Sequence, residues 1–240
     1  MFKIIVLGGP CEPYIKKCIN SILEQDEQDF EILIGIDKQD SADDVVCGFN
    51  DSRIRLYVGT GREKGFHLLM ETLKLGEIDD EDILVLIDAD DWLTDNSSLS
   101  EVAKVYSRYP KTLMTHGSWK SDPPGTFAKH CLLPYTMEDF KDIRKAVFKA
   151  THLRTLKYKV FKKINEADMK DDDGNWLWCG DLIIMTAALE MAGIDRVKFI
   201  PKPIYTYNVS GPRSSVTMGK QIQKTVKLCK SRKPYQLLGE

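Results

Sequence analysis

Residues 83 to 93 read ILVLIDADDWL, an unbroken apolar run that ends in three carboxylates, Asp88, Asp90 and Asp91, and then Trp92. A run of this length, bounded by charged residues and rich in aliphatic side chains, reads as a buried strand. Residues just past such a strand lie at its carboxyl end, where open α/β sheets form their ligand crevice. At D-x-D spacing, Asp88 and Asp90 point the same way if the chain stays extended, and two like charges that close need a cation or a proton between them. Magnesium or manganese suits the pair, because either ion binds to one or two carboxylates and fills its other positions with water and substrate phosphates. A plainer reading makes these aspartates a solvated loop that caps the next helix, and Asp91 and Asp95 fit that role.

Working outward, KIIVLG (3–8), FEILIGI (30–36), RIRLYVG (53–59) and DILVLID (82–88) are strand-like. Between them, PYIKKCINSILEQ (13–25) gathers Tyr14, Ile15, Cys18, Ile19 and Ile22 on one helical face, and GFHLLMETLKLG (65–76) is similarly amphipathic. Alternation of this kind predicts a mostly parallel central sheet flanked by helices, an α/β fold of Rossmann-like character in one domain. Asp37 and Asp88 then close two different strands, and Lys64 and Gly65 follow a third, where a loop can approach a ligand.

Farther on the pattern loosens. SSLSEVAKVYSRY (97–109) reads as a serine-capped helix, TLMTHGSW (112–119) as a strand and SDPPG (121–125) as a turn. Residues 126–180 are less regular, after which DLIIMTAALEMAG (181–193) is a helix and RVKFIP (196–201) a final strand.

The chain has 240 residues and 42% hydrophobic content, enough for a core. The opening MFKIIVLGGP has too short an apolar run for a signal peptide, and no segment is long enough to span a membrane. Six scattered cysteines without a CxxC pair suggest neither a zinc site nor a disulfide framework, so a cytoplasmic setting is expected. A net charge of -2 hides an acidic first half and a basic second half, with cations crowded in residues 141–163. That stretch is either a solvated surface, the simpler reading, or a footprint for an anionic polymer. DMKDDDGNW resembles a calcium loop only superficially, since aligning Gly174 with the sixth position puts Met169 at the first and Gly180 at the twelfth.

Taken together, IVLGGPCEPYIKKCINSILEQDEQDFEILIGIDKQDSADD and VLIDADDWLTDNSSL resemble the start of the family 2 glycosyltransferases, whose GT-A fold takes a nucleotide-sugar donor. THLRTLK (151–157), DDDGNWLWCGDLIIMTAALEMAG (171–193) and IPKPIYTYNVSGPRS (200–214) look like a viral and bacterial subgroup. The resemblance implies that Asp37 meets the nucleobase or ribose, Asp88 the ribose or the metal, Asp90 the metal (Mn2+ or Mg2+), and that Asp181 is the catalytic base toward the acceptor hydroxyl. It implies inversion at the anomeric carbon and a UDP-sugar as the first donor to consider. Residues 1–118 would then form the nucleotide-sugar-binding half, 119–212 the acceptor-binding half, and 213–240 a basic tail or helix. Lys64, Gly65, His152 and Arg154 are candidates for the donor side, Arg because it pairs with phosphate in bidentate fashion. Asp181 also fits a plain helix N-cap, and THLRTLK a surface helix end. Trp176, Trp178, Tyr205 and Tyr207 suit either a sugar-stacking platform or the core.

The chain departs from the family in GGPCEPY after the first strand, in DKQDSADD after the second, in EKGFHLLMETLK and in CGD. These departures leave base and sugar specificity open. A sugar nucleotidyltransferase and a nucleotide-sugar-binding protein without transfer activity are the rivals. The acceptor is a saccharide or lipid-linked group, or, given the basic second half, a modified DNA base.

Overall fold

The β-branched runs become strands because their side chains are buried on both faces of one sheet. The computed structural model describes residues 1–240 apart from 62, 64, 126–131, 179, 211–218 and 240. Lys64 therefore lies outside the described residues, as do His130, Cys179 and the expected boundary at 212/213. Among the described residues the strands are β1 Phe2–Gly8, β2 Phe30–Asp37, β3 Ile54–Gly59, β4 Ile83–Asp88, β5 Trp92–Leu93, β6 Met114–Asp122, β7 Arg154–Lys157 and β8 Val197–Asn208. They form one eight-stranded sheet in the order β3-β2-β1-β4-β7-β6-β8-β5. The first four are parallel, β7 runs antiparallel to both of its neighbours, β6 and β8 are parallel, and β5 is antiparallel to β8.

Register decides where the chemistry gathers. Gly8 pairs with Ile36, Leu7 with Asp88 and Asp37 with Gly59, so the carboxyl ends of β1 to β4 reach one edge together. β7 enters from the opposite direction with Arg154 beside Leu86, which delivers a cation to the same edge.

The helices are α1 Glu12–Leu23, α2 Ala42–Cys47, α3 Gly65–Leu73, α4 Ser98–Arg108, α5 Tyr158–Phe161, α6 Gly180–Ala192 and α7 Gly219–Ser231. Strand alternation sends Ile4, Val6, Ile32 and Ile34 against α1, while Ile5, Leu33 and Leu84 face α3 and α6. Helix α6 is apolar nearly all round, with Ile183 to Leu189 all buried, as expected of a helix sunk between the sheet and other elements. No described helix is long and apolar enough to cross a membrane.

The expected elements are present, with informative differences. Residues 154–157 are a buried strand rather than a surface helix end, because Thr155 is buried and hydrogen bonds to both Tyr106 and Thr115 at 2.9 and 2.7 Å. The last strand continues past residue 201 to Asn208; Pro201 and Pro203 are exposed and fall beside the register shift between Gly117 and Trp119, a bulge that tolerates a missing N–H. Ser97 does not cap α4 with its side chain; instead its N–H and O–H both donate to Asp95 Oδ1. Strand β6 runs across the 118/119 boundary drawn from the sequence.

Candidate active site

A cleft of about 360 Å3 opens at the carboxyl edge of the sheet. Its wall combines the ends of β1, β2 and β4 with the first residues of α3 and α6, Gly65 and Gly180. Among the described residues that line it, Asp37, Glu63, Asp88, Asp90 and Asp181 are carboxylic acids and Arg154 is the cation. Among the described residues, acids thus outnumber cations in the lining by five to one.

The three aspartates of the strand end have three different surroundings. Asp91 is buried, and its carboxylate accepts from the Tyr205 hydroxyl and the Asn208 amide, each at 2.7 Å. Burial and the Asp88 charge push its pKa up to about 8. It is a buried tie to β8 rather than a solvated helix cap. Asp90 lines the cleft, with its pKa raised to about 7 by burial and by Asp88. Asp88 sits on the cleft floor with 51% of its side chain open to the water there. Despite that opening, the enclosing protein raises its pKa; Arg154 opposes the rise and Asp181 adds to it. The Tyr205 hydroxyl also accepts from the Asp88 amide at 3.2 Å, so one buried phenol braces both ends of the D-x-D turn.

Arg154 links the two halves of the cleft. Its guanidinium lies 2.8 Å from Asp181 Oδ2 and 3.6 Å from Asp88 Oδ2, with only 5% of its side chain exposed. Behind it stands His152, whose Nδ1 is 2.8 Å from Arg154 Nη2. An arginine only donates, so Nδ1 is the acceptor. The imidazole stacks on Tyr205 at 4.5 Å between centroids, and burial together with Arg154 holds its pKa well below the usual histidine range. His152 is thus neutral and supports Arg154 from outside the cleft lining. Asp181 lies in the first turn of α6, whose first residue is Gly180, so it is not the N-cap itself.

At the other end, Asp37 is buried and accepts from the amides of Gly61 and Glu63 and from Gln39 Nε2, at 2.6, 3.2 and 3.1 Å. Gly61 has φ +87°, a left-handed conformation that lets its N–H turn toward this carboxylate. Gly65 lines the cleft where a Cβ would come within 2.6 Å of the Trp178 carbonyl oxygen, so the close approach of that chain requires glycine. Of the four aromatic candidates, Trp178 and Tyr207 line the cleft. Tyr205 is core, and Trp176 packs against His67 and under Lys170.

Sequence reasoning did not single out Glu63, nor the bracing role of Tyr205. The polar tyrosine of IYTYN was visible, but its partnership with residues 88 and 91 spans more than 110 positions.

The residues fit a divalent cation. Asp88, Asp91 and His152 each bring a ligand atom within 4.8 Å of the others. Asp91 already serves Tyr205 and Asn208, and His152 serves Arg154, so of the three Asp88 keeps oxygens toward the cleft; Asp90, the other metal candidate read from the sequence, lines the cleft but is not one of the three.

A family model, Glycosyl transferase family 2, matches residues 4–165. No curated protein sequence matches the chain. Among solved structures, S. aureus TarS 1–349 in complex with UDP is similar at TM-score 0.66 and 16% identity, over 95% of this chain and 64% of that one. Glucosyl-3-phosphoglycerate synthase from Mycobacterium tuberculosis, in complex with Mn2+, UDP and glucosyl-3-phosphoglycerate, gives 0.64 at 10% identity, over 95% and 78%. The mannosyltransferase PcManGT from Pyrobaculum calidifontis, in complex with GDP-Man and Mn2+, gives 0.59 at 17% identity, over 88% and 57%. The chain spans less than two thirds of the TarS fragment and of PcManGT. At these identities the likeness establishes the fold.

Proposed function

The chain belongs to glycosyl transferase family 2, and from that premise we propose that it moves a sugar from a nucleotide-diphosphate donor, a UDP-sugar first, to an acceptor hydroxyl with inversion and with the help of Mn2+ or Mg2+. The observation that carries this reading is the acidity of the cleft, where among the described residues five carboxyl groups face one guanidinium. A dianionic diphosphate enters such a cleft only with a cation between the like charges. Asp88 and Asp90 are the residues to hold that ion; when bound it neutralises charge that develops on the leaving nucleoside diphosphate. On this reading Asp37 and Gly65, both in the cleft lining, serve the nucleoside, and Arg154 meets the diphosphate or its leaving oxygen.

Asp181 takes the proton of the acceptor hydroxyl as that oxygen attacks the anomeric carbon and the bond to the diphosphate breaks. A single displacement inverts the configuration. The Arg154 fork fixes the Asp181 carboxylate, and neutral His152 fixes Arg154. The aromatic residues Tyr207 and Trp178 in the cleft lining favour a saccharide acceptor on this reading. The basic stretch gives little support to a DNA acceptor, because most of its cations are paired internally: Lys141 with Glu138, Arg144 with Glu190, Lys145 with Asp142, Lys157 and Lys159 with Glu81, and Lys162 with Asp80. A cytoplasmic setting, where nucleotide sugars are available, goes with this reading.

The test is release of nucleoside diphosphate from UDP-glucose, UDP-GlcNAc and GDP-mannose, with saccharide acceptors, with and without Mn2+. Metal-dependent release from one donor is expected. Metal-dependent nucleotide binding without turnover of any donor would reduce the chain to a binding protein.

A further inference from the structure

Between Asp195 and Glu240 the sequence contains no acidic residue, and α7 with the residues just after it holds a concentration of lysines. The helix packs on α6 and buries Thr225 and Cys229. Lys220, Lys227 and Lys230 are exposed on it, and the exposed Lys233 follows. Lys224 pairs with Asp171 at 2.8 Å and Arg232 with Asp168 at 3.1 Å, whereas among the described residues Lys220, Lys227, Lys230 and Lys233 form no ion pair. The stretch 141–163 differs, since most of its cations are paired. An open groove runs along α7, lined by Ile222, Gln223, Val226, Lys227, Lys230 and Ser231. Ile222 also lines the cleft, so the groove begins where the cleft ends. Continuity places it on the acceptor side, because α7 lies against α6, whose first turn carries Asp181. At about 1.5 Å per residue, Lys227 and Lys230 stand about 8 and 12 Å along the helix from Ile222.

We propose that this groove is an acceptor subsite for an anionic saccharide: Lys227 and Lys230 hold its carboxylate, sulfate or phosphate groups while a hydroxyl farther along the same chain passes Ile222 to Asp181. This deepens the transferase reading above and rests on it. The acids of the cleft disfavour an anionic group at the reaction centre, so an acceptor of that charge binds with its charge held outside, and the groove supplies the place. Ile222, Val226 and the methylene stems of the two lysines offer apolar contact to sugar C–H groups. A lipid surface suits the helix less well. A helix that docks on a membrane sinks exposed apolar side chains among the acyl chains, and on α7 Ile222, Val226 and Leu228 are half-buried and none is exposed.

The test is binding of the whole chain to polygalacturonate and to its methyl ester, the same polysaccharide with and without carboxylates, at low and at physiological salt. Anionic phospholipid vesicles and duplex DNA serve as competing probes. The wild type should bind the acid form roughly 10-fold or more tighter than the ester at low salt, with the preference shrinking as salt rises. Lys227→Gln/Lys230→Gln should weaken binding of the acid form by roughly 5- to 30-fold. Lys141→Gln/Lys145→Gln, the same loss of charge at paired lysines, should change it less than about twofold. UDP binding with Mn2+ should be the same in both variants, since none of these lysines lines the cleft. Because the groove leads into the cleft, saturating polygalacturonate should also slow the wild type's release of nucleoside diphosphate to water, an effect lost in Lys227→Gln/Lys230→Gln. Equal binding of acid and ester by the wild type overturns the proposal. So does an equal loss in the two double variants, tighter binding of vesicles or DNA through Lys227 and Lys230, or saccharide binding with no effect on release. A wild type that binds no nucleoside diphosphate with Mn2+ yet binds polygalacturonate through these lysines refutes the transferase reading instead, a distinct outcome that leaves a saccharide site without a reaction.

Discussion

Replacing Asp90 by asparagine is expected to stabilise the fold above pH 7 while removing its response to metal. In the unfolded chain this carboxyl has a pKa of 3.8, and in the fold burial and Asp88 raise it to about 7. Below pH 3.8 the group is protonated in both states and costs nothing. As pH rises toward 7 the fold must retain a proton that the unfolded chain releases, so stability falls, and above pH 7 the loss is complete. At about 1.4 kcal/mol for each tenfold in proton affinity the full loss is about 4 kcal/mol, and water in the open cleft reduces it to about 2–4 kcal/mol. Urea denaturation of wild type and Asp90→Asn in chelator, at pH 5 and pH 8, measures the effect directly. The variant should gain on the wild type as pH rises. Added Mn2+ should raise the wild-type midpoint at pH 8 far more than at pH 5, since the ion competes with protons for the carboxylates, and should leave the variant nearly unmoved. A stability gap that does not widen with pH refutes the account of a cleft short of cations.

Tyr205→Phe deprives the buried Asp91 carboxylate of one of its two donors and the Asp88 amide of its acceptor. It should cost about 2–3 kcal/mol by urea denaturation, with a further loss at high pH as the Asp91 pKa climbs beyond about 8. Arg154→Lys keeps the charge but not the fork that reaches Asp181, Asp88 and His152, so turnover should fall about tenfold or more, and the lysine should perform little better than Arg154→Met. Asp181→Asn should lower kcat by roughly 10²- to 10⁴-fold with nucleotide and metal affinity retained; unchanged turnover removes Asp181 as the base.

The sheet order could be anticipated on its parallel side, because β1 to β4 carry their own signal in unbroken apolar runs. The other side could not. β5 has two residues, too few for a pattern, and β7 presents Arg154 and Thr155, polar residues whose burial is satisfied by partners distant in sequence, among them Asp88, Tyr106, Thr115 and Asp181. β8 contains two prolines that would end an ordinary interior strand and survive here at a bulge.

The division within DADD shows where local reading stops. Sequence alone put carboxylates at a strand end and implied a cation, since that follows from the period of the strand and from like charges in close succession. It could not tell Asp90, which faces the cleft, from Asp91, which is locked to Tyr205 and Asn208, because the difference lies in hydrogen bonds that cross more than 110 residues. Nor could it foresee that Asp37 is tied to the amides of Gly61 and Glu63, since those donors come from the loop after a different strand. Strand identity and the need for a counter-ion are properties of neighbours along the chain. Which carboxylate is spent on the fold and which is left for a ligand depends on donors that only the packed sheet brings within 3 Å.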